Sequence, residues 1–279
     1  MPDDLNLALD REVILVGGGP STGKSLSIVK LALTGLEEGF NVVVIDRDRG
    51  VAKAVKELCG RKAPDNMDYF IAKTWDDVTA GMDHAFANLE AGDWLCFDML
   101  GALWDLAQDE FTRMVYKEGS TEKILALRME AEAVVRKHGG KDAAKDRAKG
   151  VGFEGLEGRY DWPLIKKMHN GDVRDHAILD GDFNVLSTTT MTPLQDGQGD
   201  KDKWPMFASL GRRPEGEKNN VHKHDTFLLA KQMDSQWTWS TLLGEGQGKD
   251  RGRELVRNVD YTGQGIVESY LEYHAEDEE

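Results

Sequence analysis

The sequence predicts an α/β fold, a mainly parallel central sheet flanked by helices. Three observations lead there. Short apolar, β-branched runs alternate with segments of helical period over the first hundred residues. Those runs read as fully buried strands, as expected of parallel strands covered on both faces by helices. A glycine-rich turn joins the first strand to the first helix.

Val13-Ile14-Leu15-Val16 is the first strand, followed by Gly17-Gly18-Gly19. A helix begins near Gly23, with Leu26, Val29, Lys30, Leu33 and Leu36 at helical spacing, and stops around Gly35 and Gly39. Asn41 to Asp46 reads as the second buried strand, and Val51 to Leu58 as the next helix. Met67 to Ala72 is the third strand. Trp75 to Ala91 is a helix with Val78, Met82, Ala85 and Leu89 on one face, and Asp93 to Asp98 is another buried strand. From Asp109 to Gly158 the pattern changes to a charged, helix-prone insertion that is locally basic between Arg136 and Lys149. It reads as a solvated helical segment. Strands return at Phe183–Thr190, Thr226–Ala230 and Trp237–Leu242, with polar loops at Gln195–Lys203 and Gly211–His224. The last residues, 274–279, read as an acidic tail, the whole chain 1–279 being one domain with the 109–158 insertion inside it.

Composition bounds the function. The chain has 279 residues, 40% hydrophobic and 30% charged, with 30 Gly and 7 Pro, enough for a sizeable core and unlike a collagen-like or disordered chain. Fifty acidic residues against 35 basic ones leave a formal charge of −15, so a polyanion must be held at local basic patches. Cys59 and Cys96 form no CxxC, and no Cys/His cluster suggests structural zinc, which fits a reducing compartment. Met1-Pro2-Asp3-Asp4 lacks the positive start of a secretory signal, and no apolar run approaches the ~20 residues of a membrane span. A cytoplasmic protein with no membrane partner is expected.

The chemistry concentrates at Gly18-Gly19-Pro20-Ser21-Thr22-Gly23-Lys24-Ser25, a full G-x-x-x-x-G-K-[ST] between a strand and a helix. Glycines let backbone N–H groups turn inward as an anion nest, and the helix that follows points its N-terminus at the phosphates. Lys24 is placed to reach the β- and γ-phosphates and the Ser25 hydroxyl to ligate Mg²⁺. Asp98, ending a buried strand, is the natural acidic partner for that metal; its alternative is a helix cap. Asp46-Arg47-Asp48-Arg49 ends the second strand. Its carboxylates orient an attacking water or cap a charged loop, and its arginines contact phosphate or neutralise the acids. Lys249 and Arg251 point the same way in an extended segment. They suit an arginine finger offered to a neighbouring subunit, or an ordinary basic loop.

Taken in order, these residues resemble the RecA-like P-loop ATPases. The match rests on Gly18–Ser25, Asp46-x-Asp48, the Asp98 strand with Asp98-Met99-Leu100-Gly101-Ala102-Leu103, the polar-ended strand Thr188-Thr189-Thr190 and Lys249-x-Arg251. It spans roughly residues 10–257 and is most like compact phage-encoded recombination and single-strand-annealing ATPases. The resemblance implies a RecA-like P-loop NTPase fold and Mg²⁺-dependent ATP hydrolysis. It implies that Asp48 stands where a catalytic Glu is usual, and that Thr189 or Thr190 senses the γ-phosphate. Lys249 and Arg251 would act across subunits in a ring or filament, so a homo-oligomer is implied. Single-stranded DNA would lie on the loops after the Thr strand, through Lys201, Lys203, Arg212, Arg213, Lys218 and Lys223, with Trp204 and Phe207 either stacking on bases or packed inside. The basic stretch of the insertion is a rival DNA site. Two other classes stay open: a small-molecule P-loop kinase with the insertion as lid, and a nucleotide-dependent switch or assembly protein without turnover.

Overall fold

The computed structural model describes residues 11–117, isolated positions between 119 and 137, and residues 161–194, 205–217, 219–241 and 258–275. Its centre is an eight-stranded sheet in the order β10-β9-β8-β1-β5-β4-β2-β3. The strands are β1 Val13–Gly18, β2 Val42–Asp46, β3 Met67–Ile71, β4 Trp94–Asp98, β5 Asn184–Thr189, β8 Thr226–Met233, β9 Gln236–Thr241 and β10 Val259–Asp260. β1 to β5 and β8 pair in parallel, and only β9 and β10 run against their neighbours. This is the mainly parallel, helix-flanked central sheet that the sequence predicts.

Alternation along the strands sorts side chains into two cores. Ile14, Val16, Val42, Val44, Cys96 and Leu186 face α1 (Lys24–Glu38), α2 (Gly50–Cys59) and the C-terminal α7 (Ile266–Ala275). Val13, Val43, Ile45, Leu95, Phe97 and Val185 face α3 (Trp75–Asn88), α4 (Leu100–Tyr116) and α5 (Asp161–His169). Because β1, β2 and β4 are buried on both faces, their sequences are nearly continuous apolar runs. Truncating one of these residues, Leu95→Ala for instance, leaves a cavity and costs about 2–5 kcal/mol. α3 starts where Thr74 and Asp77 cap each other reciprocally, the Asp77 carboxylate accepting from Thr74 N at 2.8 Å.

Several boundaries differ from the sequence reading. The first helix runs through Gly35 and ends at Gly39, whose positive φ of 90° closes it. Asp109 is not the start of an insertion: it lies inside α4, whose apolar face (Leu103, Leu106, Phe111) holds that helix on the sheet as far as Tyr116. The rest of the stretch to Gly158 lies largely outside the described residues. His274 and Ala275 are the last turn of α7, so an acidic tail begins no earlier than Glu276, also outside the described residues. The Gly211–His224 loop is largely ordered structure. Arg212–Pro214 forms β7, paired antiparallel with β6 (Met191–Pro193), and Asn220–Lys223 is a helical turn, α6. Phe207 is fully buried, edge-on to Phe227, so of its two readings the core one holds. A helical turn pattern, Asn170–Arg174 and His176–Asp180, extends α5 and went unread in the sequence.

Among the described residues no helix is long and apolar enough to cross a membrane.

Candidate nucleotide site

At the C-terminal edge of the sheet, Gly18 to Ser25 joins β1 to α1. Gly23 caps α1 at φ 76° and Ser21 also has a positive φ of 61°, so the loop curls with its N–H groups free of the strand ladder. Lys24 is nearly buried, and its ammonium donates to the carbonyls of Gly18 at 2.9 Å and Gly19 at 2.8 Å. Burial lowers its pKa, opposed by the charges of Asp98 and Asp48. Thr22 Oγ1 donates to Gly19 O at 3.0 Å and tightens the loop further.

Asp98 is fully buried at the end of β4. Its two oxygens accept from different neighbours: Oδ2 from Ser25 Oγ at 2.7 Å and Oδ1 from Thr188 Oγ1 at 2.6 Å. Burial pushes its carboxyl up to about 6. The hydroxyl bonds pull it down, and the charges of Asp46 and Asp48 push it up again. β5 lies between β1 and β4, so Thr188 reaches Asp98 from the strand beside the loop.

Asp46, at the end of β2, plays a different part. Oδ1 accepts from Asp48 N at 3.0 Å and Arg49 N at 2.7 Å, and Oδ2 from Val51 N at 3.0 Å and Tyr69 OH at 2.8 Å. It therefore ties down the turn into α2, where Arg49 takes a positive φ of 63°. Burial raises its pKa, against the bonds from Tyr69 and Arg49. Asp48 is exposed, with Oδ1 accepting from Gly50 N at 2.8 Å. Arg47 turns away, its guanidinium donating to Ala72 O at 3.1 Å.

One ligand atom each from Asp46, Asp48 and Asp98 lies within 4.8 Å of the others. A side chain at Gly50 would intrude on this cluster. A Cβ there would overlap Ser25 Oγ and lie 2.8 Å from Asp98 Oδ2 and 3.0 Å from Asp48 Oδ1. Hard oxygen donors from two aspartates and a serine, with mutually repelling charges, fit Mg²⁺.

Thr189 is buried and donates to Glu215 O at 3.1 Å, while Thr190 Oγ1 donates to the Glu215 carboxylate. These two bonds latch the end of β5 to the turn after β7. That turn is anchored by the fully buried Glu217, paired with the equally buried Arg174 at 3.0 Å. Removing one partner of such a pair costs about 3–5 kcal/mol. Arg212 is exposed on β7. Arg213 is half-buried, with Nη1 donating to Pro214 O at 3.1 Å, and Lys223 is half-buried at the end of α6. These basic residues therefore stand on a strand and a helical turn rather than in a free loop. Lys203, Lys218, Lys249 and Arg251, with Lys201 and Trp204, lie outside the described residues.

The sequence reading missed Tyr69, Glu215 and Gly50, and named Thr188 only as part of the threonine run, without its bond to Asp98. Three threonines in a row give no hint which faces Asp98, because only the register of β5 against β4 decides it. Gly50 sits one residue past the Asp-Arg-Asp-Arg turn, and its spacing from Asp48 was the available signal.

No protein-family model matches the sequence, and no curated protein matches it. Among solved structures, the chain is similar to one described as an ATPase domain (TM-score 0.45, 10% identity, covering 93% of this chain and 83% of that one). It is also similar to a DnaB-like replicative helicase described with its interactions with primase (TM-score 0.46, 11% identity). That match covers 91% of this chain and 57% of the helicase chain, so this chain spans little more than half of it.

Proposed function

We propose that this protein is a Mg²⁺-dependent RecA-like ATPase that works as an oligomer on single-stranded DNA, in recombination, annealing or replication. The observation that carries the reading is the Ser25–Asp98–Thr188 hydrogen-bond chain beside Lys24. It brings the Ser25 hydroxyl, the buried Asp98 carboxylate and the Thr188 hydroxyl together beside one loop, which supports reading Ser25 and Asp98 as metal ligands. ATP binds with its phosphates on the loop N–H groups and the N-terminus of α1. Lys24 exchanges its bonds to the Gly18 and Gly19 carbonyls for phosphate oxygens. Ser25 and Asp98 hold Mg²⁺, with Asp48 close by; when bound, the ion neutralises charge on the transferred phosphoryl. Asp48, exposed and free of buried partners, orients the attacking water. Thr189 and Thr190 pass the state of the site to Glu215 and so to the β6–β7 ribbon that carries Arg212 and Arg213. Lys249 and Arg251 of an adjacent copy complete the charge balance, which makes turnover depend on assembly.

Phosphate release is the test. Hydrolysis should require Mg²⁺, rise on addition of single-stranded DNA and vanish in Lys24→Ala. Turnover that ignores DNA but consumes a small-molecule acceptor would replace this reading with a kinase, and nucleotide binding without any turnover would replace it with a switch.

A further inference from the structure

A nucleotide seated on Gly18–Ser25 needs a surface for its base as well as its phosphates, and the sheet order says on which side to look. Asp98 and Thr188 lie on β4 and β5, on one side of β1, and with Ser25 they mark the metal and terminal-phosphate end. The base belongs at the opposite end, towards β8, β9 and β10. The hairpin of β8 and β9 rises there above the loop. Ala230 is level with Gly18, and the pairing continues through Lys231 and Gln232 to Met233 opposite Gln236, so Trp237 stands beyond the sheet edge.

Trp237 shares a strand face with Trp239, which is fully buried against Tyr270, so its ring continues the surface that α1 covers. It reaches the N-terminus of that helix. A Cβ on Gly23 would lie 3.1 Å from Trp237 Cε3 and 3.3 Å from Cδ2. The indole is half-buried. Its position is fixed from behind. Trp237 N donates to Thr262 Oγ1 at 2.8 Å, and the ring lies 6.2 Å from Tyr261, tilted 35°. Tyr261 is buried and its hydroxyl donates to the carbonyl of Thr22, within the loop itself. One aromatic pair thus touches the loop at two consecutive residues.

We infer that Trp237 is the stacking face for the nucleobase of the bound nucleotide, with Tyr261 as the positioning residue that holds indole and loop in register. This deepens the nucleotide reading above and rests on it. A π-face reads area, so purines are preferred over pyrimidines, and stacking of a base on an aromatic ring contributes enough that its loss weakens binding about fivefold or more.

The experiment titrates the full-length protein with Mg²⁺ and three probes: ATP, CTP and inorganic triphosphate, each by calorimetry. The wild type should bind ATP more tightly than CTP and both more tightly than triphosphate. Trp237→Ala should lose at least about fivefold for ATP, keep its triphosphate affinity, and level ATP with CTP. Trp237→Phe should restore most of the ATP preference. If Trp237→Ala weakens triphosphate as much as ATP, the ring only props the loop and the inference fails. If the wild type binds triphosphate as tightly as ATP, no base site exists, although the phosphate site stands. Triphosphate binding that is absent, or unchanged in Lys24→Ala, refutes the nucleotide reading itself and this inference with it.

Discussion

Replacing Asp98 by Asn should stabilise the metal-free protein at neutral pH, although Asp98 is central to the proposed site. Burial holds this carboxyl up to about 6, against 3.8 for the unperturbed group. A difference of about two pH units corresponds to ~3 kcal/mol. The folded state binds the proton more tightly than the unfolded chain. This contribution to stability is therefore fully present below about pH 4 and is lost as the pH rises through about 6. At pH 7.5 the wild type carries a buried negative charge that Asn does not have. The amide keeps both neighbours, because the Ser25 and Thr188 hydroxyls rotate, one donating to Oδ1 and the other accepting from Nδ2. Thermal unfolding followed by circular dichroism, with a chelator present, should show Asp98→Asn melting roughly 5 °C higher than wild type at pH 7.5. The gap should close between pH 6 and pH 4. Adding Mg²⁺ with ATP at a thousandfold excess over Kd should reverse the order, since a bound ligand stabilises only the fold that holds it, by ~4.1 kcal/mol at that excess. If Asp98→Asn melts lower than wild type at pH 7.5 without metal, or if the gap is the same at both pH values, the buried charge is not the source of the cost.

Other expectations follow from the same geometry. Gly50→Ala should leave metal-free nucleotide binding intact and remove its Mg²⁺ dependence, because the added methyl group overlaps Ser25 Oγ and crowds Asp98; titrations with and without the metal check this. Neutralising Arg212 and Arg213 together should weaken single-strand binding across all sequences and flatten the slope of log K against log salt, by up to ~0.7 for each phosphate no longer held. A charge-neutral version of the 136–149 stretch that alone abolishes binding would move the DNA to the insertion. Arg251→Ala should bind ATP and drop about 10³-fold or more in turnover. Mixing it with Asp48→Asn protein should recover activity at the interfaces where both halves are intact, and a confirmed mixed assembly as inactive as its parents would exclude a role across subunits.

Much of the fold and the site was legible because it is encoded locally. The glycine-rich loop, Lys24 and Ser25 occupy fixed offsets between a strand and a helix, and a phosphate cradle needs only neighbouring backbone. The doubly covered strands β1, β2 and β4 announce themselves as apolar runs, since their side chains are shielded from water on both faces. What the sequence left open lies between residues far apart along the chain. Four charged residues from Asp46 to Arg49 look alike in sequence, yet the folded chain divides them. Asp46 is buried to hold a turn, Asp48 faces outward, Arg47 is tied to Ala72, and Arg49 takes the left-handed bend. Which of three threonines meets Asp98 depends on the register between β5 and β4. Gly50 matters only because α2 begins against Ser25 and Asp98, and Trp237 only because an antiparallel hairpin carries it past the sheet edge to Gly23. Local pattern specifies which residues face the core. Pairing register and strand order, set by packing over the whole domain, determine which polar groups meet there.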